Sequence, residues 1–159
     1  IPADTTAWTK PYSPLFKFSW SKVYPALLEA QKVNEVNLFD GIFMRYSNPL
    51  TGGHVMQTMG AAMQLLPPGF KGKSHRHTGS FVYQCAKGKG YTIINGQRFD
   101  WKERDIFCVP SWAWHEHHNL SETEDACLFN FNDLPVIEGL GLYQSRELKE
   151  NNGHQNLMQ

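Results

Sequence analysis

Residues 69–81 read GFKGKSHRHTGSF, and the histidines at 75 and 77, one residue apart, decide how the chain is to be understood. On a strand, side chains two positions apart leave the same face, so His75 and His77 can both reach one ion if this stretch is extended. Further on, residues 110–119 read PSWAWHEHHN and bring His115 at the start of another short strand. A third imidazole from a second strand completes one triangular face of a coordination sphere. Imidazole nitrogen suits Fe, Zn, Cu and Ni alike, so ligand type alone leaves the metal open.

Around these two stretches the sequence after Asp40-Gly41 breaks into short runs of β-branched, aromatic and aliphatic residues punctuated by Gly, Pro and Asn. Strands are expected near residues 42–46, 58–66, 80–86, 91–94, 98–101, 106–109, 114–119 and 126–132. Asn95-Gly96 marks a hairpin, because both residues tolerate the positive φ of a type I′ turn. Many short strands with tight turns predict an all-β sandwich or jelly roll. One helix is expected ahead of it, from Ser21 to about Val33, with Ser21 as its cap and Pro25 tolerated in the first turn. Residues 1–18, rich in Pro, Thr and Ser, read as a linker or arm, residues 19–144 as the folded domain, and the polar residues 145–159 as a loose tail.

A length of 159 residues supports one domain with its own core. Lys plus Arg and Asp plus Glu both number 15, so the chain has no net charge drawing it to nucleic acid or an anionic membrane. No apolar run approaches the roughly 18 to 20 residues that span a bilayer, and no secretion signal is evident, so a cytoplasmic location is expected. Cys85, Cys108 and Cys127 are odd in number and widely spaced, and are expected as reduced core residues on strands.

The two histidine stretches resemble the cupin superfamily. Its first motif is matched in register by Gly69, His75, His77 and Gly88, with Phe81 where the motif expects a glutamate ligand. Its second is matched by Pro110, His115 and Asn119, with Trp112 in place of a glycine. The expected fold is therefore a cupin jelly roll with one N-terminal helix, holding a metal on His75, His77 and His115. Three neutral imidazoles leave the ion's charge uncompensated and three adjacent positions open, which favours a chelating anionic substrate. Fe(II) is the expected metal, since open facial positions are what oxygen chemistry requires, with Zn, Ni and Cu as alternatives.

Longer phrases, RYSNPLTGG at 45–53, GAAMQLLPPGF at 60–70, HRHTGS at 75–80, VPSWAWHEH at 109–117 and GLGLY at 139–143, resemble the gentisate 1,2-dioxygenase family, which includes salicylate and 1-hydroxy-2-naphthoate dioxygenases. The resemblance runs from about residue 13 to 143 and points to the C-terminal barrel of a two-barrel polypeptide, in homo-oligomers. It implies an Fe(II) enzyme of aromatic catabolism that takes an ortho-hydroxylated aromatic carboxylate and inserts both atoms of O2 between the carboxyl-bearing and hydroxyl-bearing carbons. In the family's catalytic barrel an arginine helps bind the substrate carboxylate at the position held here by Tyr83. That departure supports a second expectation, a non-catalytic half that supports assembly and borders a neighbouring active site. His117 matches a histidine close to substrate in the family and is the expected proton carrier. Tyr83, Phe81, Trp114 and Arg45 are the expected substrate-binding residues, while Glu116 and His118 are expected to face solvent or an interface.

Overall fold

Alternating side chains and frequent turns fold the chain into two five-stranded antiparallel sheets, seen in a computed structural model that describes residues 17–158. In chain order the elements are α1 (Trp20–Val33), β1 (Ile42–Arg45), β2 (Gly60–Leu66), β3 (His75–His77), β4 (Phe81–Lys87), β5 (Lys89–Ile94), β6 (Gln97–Lys102), β7 (Ile106–Val109), β8 (His115–Asn119), β9 (Ala126–Asn132), α2 (Leu134–Gly139) and β10 (Ser145–Glu147). One sheet runs β1-β2-β9-β4-β7 and the other β10-β3-β8-β5-β6. This is the expected jelly roll. The Asn95-Gly96 turn between β5 and β6 has φ of 46° and 81°, as a primed hairpin turn requires.

Two apolar clusters hold the layers. Leu66, Phe81, Tyr83, Cys85, Trp101, Val109 and Leu128 fill the space between the sheets. Val23 and Leu27 of α1 pack with Ile42, Met63, Leu65 and Cys127 on the outer face of the first sheet. Leu65 and Leu66 are neighbours facing opposite ways, and both are fully buried, so β2 is covered on both sides. The helix is tied down further by Asp125, whose carboxylate accepts a hydrogen bond from the Tyr24 hydroxyl (2.8 Å) and pairs with the Lys87 ammonium (2.7 Å).

Several expectations need correction. The helix begins one residue before Ser21, and its cap position is Ser19, whose carbonyl accepts from the amides of Lys22 and Val23. A second short helix, α2, follows β9. Cys85 and Cys127 are buried and Cys108 is exposed, because edge strand β7 turns Val109 inward and Cys108 outward. The segment expected as a loose tail is bonded to the barrel. Ser145–Glu147 pairs with His75–His77, the Gly153 carbonyl accepts from the Ser74 amide, and the Met158 amide donates to Gly96. The backbone makes most of these bonds, so the polar side chains gave no sign of them. The expected arm at residues 1–18 lies, up to residue 16, outside the described residues.

Candidate metal centre

Two neighbouring strands bring the histidines together. His75 and His77 project from one face of β3, and His75 pairs in register with His115 on β8. Ring centroids are 4.4 Å apart for His75 and His115, 4.9 Å for His77 and His115, and 5.4 Å for His75 and His77. One ring nitrogen from each lies within 4.8 Å of the others.

The turn before β8 aims the third ring. Trp112 adopts φ of 66°, the left-handed conformation that the motif's glycine would take without strain. Its amide donates to the His77 carbonyl at 2.8 Å. Its ring lies 4.5 Å from the Arg76 guanidinium, with Trp114 at 4.4 Å. These contacts offset a backbone cost of roughly 1–2 kcal/mol. Asn119 closes the strand's far end by donating to the carbonyls of Leu66, Pro67 and Glu124.

The donor set fits a divalent ion. The Nδ1 of His115 points at the Ala113 carbonyl (2.9 Å) and that of His77 at the Thr78 carbonyl (3.2 Å). A carbonyl only accepts, so Nδ1 carries the proton in both rings and each Nε2 keeps its lone pair. His115 Nε2 is buried with no protein partner, an orphaned acceptor of the kind a metal satisfies. Burial, with the neighbouring imidazoles, pushes His75 down to about 3 and His115 well below its ordinary value, so both rings stay neutral and available as ligands.

Beside the trio lies a carboxylate that the motifs do not contain. Asp40 Oδ1 is 4.0 Å from His75 Nε2 and accepts from the Gln64 amide at 2.8 Å. Asn37 caps the turn, accepting from the amides of Phe39 and Asp40, and so fixes where that carboxylate stands. Burial pushes Asp40 up to about 6. In the sequence, Asp40-Gly41 looked like a turn boundary, and only the spatial approach of the segment ahead of β1 reveals its place. It places beside the three imidazoles a negative charge that Phe81 cannot supply.

His75, His77, Asp40 and Gln64 open on a cavity of about 390 Å³ whose wall includes Phe39, Phe81, Tyr83 and Arg45. Phe81, Tyr83 and Arg45 therefore line it. Trp114 does not: its ring stacks on Arg76, whose side chain leaves β3 on the face opposite His75 and His77. His117 is fully buried and outside the cavity wall, with its Nδ1 2.8 Å from Thr92 Oγ1 and its ring 4.8 Å from Tyr83. Glu116 and His118, expected at solvent or an interface, are 1% and 5% exposed because residues 154 and 155 close over them.

The fold and this cluster define a cupin domain, and the family described as Cupin domain matches residues 62–131. Within the cupins, the relatives the chain matches are 1,2-dioxygenases of the gentisate and salicylate type. It is 37% identical over 155 residues to 5-aminosalicylate 1,2-dioxygenase of Comamonas sp, which covers 97% of this chain and 41% of that protein. It is 36% identical to gentisate 1,2 dioxygenase 1 of Aquipseudomonas alcaligenes, covering 83% of this chain and 37% of that one. The salicylate 1,2-dioxygenase of Pseudaminobacter salicylatoxidans superposes with a TM-score of 0.75 at 30% identity, over 86% of this chain and 40% of that one. The chain thus spans about two fifths of the relatives it matches. No helix among the described residues is long and apolar enough to cross a membrane.

Proposed function

We propose that this domain is one cupin unit of an Fe(II)-dependent ring-cleaving dioxygenase that acts on an ortho-hydroxylated aromatic carboxylate with O2, in a cytoplasmic homo-oligomer whose polypeptide carries a second cupin domain. The observation that carries the reading is the convergence of three neutral imidazoles, two of which stand on the wall of an aromatic-lined cavity. Its size is in the range used for small ligands.

His75, His77 and His115 would hold the ion, which when bound would supply the charge that draws the substrate's two oxygens and a path for the substrate's electrons to O2. The rest falls to the chain's own groups. Arg45, exposed at the cavity wall, takes the substrate carboxylate in place of the arginine that Tyr83 replaces. Phe39 and Phe81 pack the ring and exclude water. Asp40 is the carboxylate at the wall, held by Gln64, that accepts the hydroxyl proton. His117 acts one layer down, neutral by burial, positioning Tyr83 through their ring contact.

A second reading, a supporting half without turnover, is favoured by one observation: Tyr83, at the position of the family's carboxylate-binding arginine, is 2% exposed and built into the core. Oxygen uptake by the Fe(II)-loaded protein, offered gentisate, salicylate and 1-hydroxy-2-naphthoate in turn, tests the two. Stoichiometric consumption of O2 with loss of the aromatic absorbance supports the dioxygenase. Iron binding with no uptake for any acid supports the supporting half.

A further inference from the structure

Strand β8 carries metal-ligating side chains on both faces. His115 and His117 point inward, and by alternation Glu116 and His118 point to the opposite side. There Glu116 Oε1 lies 2.9 Å from His118 Nε2 and 3.5 Å from His154 Nδ1. One donor atom from each of the three lies within 4.8 Å of the others. Neighbouring ligands on a tetrahedral zinc, with bonds of about 2.0 Å, stand about 3.3 Å apart, so both measured edges are near those of an assembled site.

The surroundings hold the ligands in place. The other carboxylate oxygen of Glu116 accepts the Gln155 amide at 3.0 Å, which leaves Oε1 for the imidazoles. Tyr91 stacks on His118 with centroids 4.4 Å apart and planes within 6°, and Arg98 lies 3.8 Å above the Tyr91 ring. Glu116 and His118 are almost fully buried, and His118 Nδ1 has no partner. A single ion pair would account for the 2.9 Å contact. It would not account for a second imidazole, from a distant part of the chain, arriving at the same oxygen.

We propose that Glu116, His118 and His154 form a second divalent-metal site, for a borderline ion of the zinc, cobalt or nickel class, with solvent completing the coordination on the partly exposed His154 side. His154 follows the short 3₁₀ turn at Asn151–Gly153, so the ion would clip the C-terminal segment to the back of the strand that carries His115. The segment already touches the barrel through Gln155, which donates to the Ile93 carbonyl and accepts from the Gly96 amide. A metal there adds a bond between residues 38 positions apart, counted from 116 to 154, without entering the cavity.

The test is a Co(II) titration of metal-stripped whole protein, wild type against His154→Ala, read by visible absorption and by metal content after gel filtration. Hydrogen exchange at the amides of Leu148 and Met158 is followed with and without Zn(II). Wild type should bind one equivalent more than His154→Ala, and added Zn(II) should slow exchange at least tenfold in wild type but not in the variant. Glu116→Gln, which keeps an acceptor for Gln155, should lose the same equivalent and guards against a folding defect in the first variant. Equal stoichiometry in wild type and both variants overturns the proposal. Because the comparison is a difference of one equivalent, failure of the inner histidine cluster to bind would change both totals and leave this result readable.

Discussion

Removing the charge of Asp40 should weaken metal binding at the histidine trio without disturbing the fold. Asp40→Asn keeps the side chain's shape and an acceptor for the Gln64 amide, so the 2.8 Å bond survives. What is lost is one negative charge whose oxygen stands 4.0 Å from a ligand nitrogen. Coulomb's law gives about 4 kcal/mol for two unit charges 4 Å apart at an effective dielectric of 20, and about 8 kcal/mol when one of them is a divalent ion, before solvent and the remaining ligands reduce it. Groups that support a metal's ligands cost about 10- to 100-fold in affinity when removed, or roughly 1.4–2.8 kcal/mol. We expect that range. The assay is anaerobic competition for Fe(II) or Co(II) against a chelator, in a His154→Ala background so that the outer cluster does not contribute. An Asp40→Asn affinity within twofold of its parent would refute the claim that this carboxylate replaces the charge that Phe81 lacks.

Three other outcomes follow from the same structure. Arg45→Ala should raise KM for an aromatic carboxylate about 10- to 100-fold, the loss of one charge-assisted contact, with metal content unchanged; steady-state oxygen uptake reads it. Leu27→Ala should destabilise the domain by about 2–5 kcal/mol in urea denaturation, since Leu27 is fully buried between α1 and the first sheet. Burial pushes Asp125 up, but hydrogen bonds from Lys87 and Tyr24 outweigh it and leave the carboxyl below its ordinary 3.8. Its contribution is therefore present above pH 3.8 and lost as pH falls through the lower folded value. Asp125→Asn should flatten that acid limb of the stability profile, measured by thermal melts between pH 2 and 6.

The barrel was legible because its determinants are local. Asn95-Gly96 names its own turn, and a one-residue spacing between His75 and His77 sets both rings on one face whatever surrounds them. Even the substitution at Trp112 left the loop's course intact, because stacking on Arg76 compensates for the missing glycine. The face of Glu116 and His118 was also correctly read as the outer one, but alternation says only which side a residue takes. Whether that side meets water depended on residues 154 and 155, whose polar side chains carried no hydropathic signal. Trp114 was misplaced for a related reason: it precedes β8 in a turn, where strand alternation does not apply, and Arg76 draws it to the outer surface.

The same contrast explains how the site divides its work. The three clustered imidazoles come from β3 and β8, paired in the middle of a sheet, where hydrogen bonds on both edges fix their geometry. The groups that meet whatever enters the cavity come from outside that pair: Asp40 from the turn ahead of β1, Arg45 from the end of edge strand β1, and Tyr143 from the segment that leads into β10. Substitutions in these peripheral segments cost little core packing, so they can alter which aromatic acid fits while the three imidazoles stay in place. Under the proposed function, selectivity among acids would therefore rest with the segments on either side of the motifs. Exchanging Tyr143 should change the preferred substrate with little change in metal affinity, whereas exchanging His75 or His115 should abolish binding of the ion for every substrate alike.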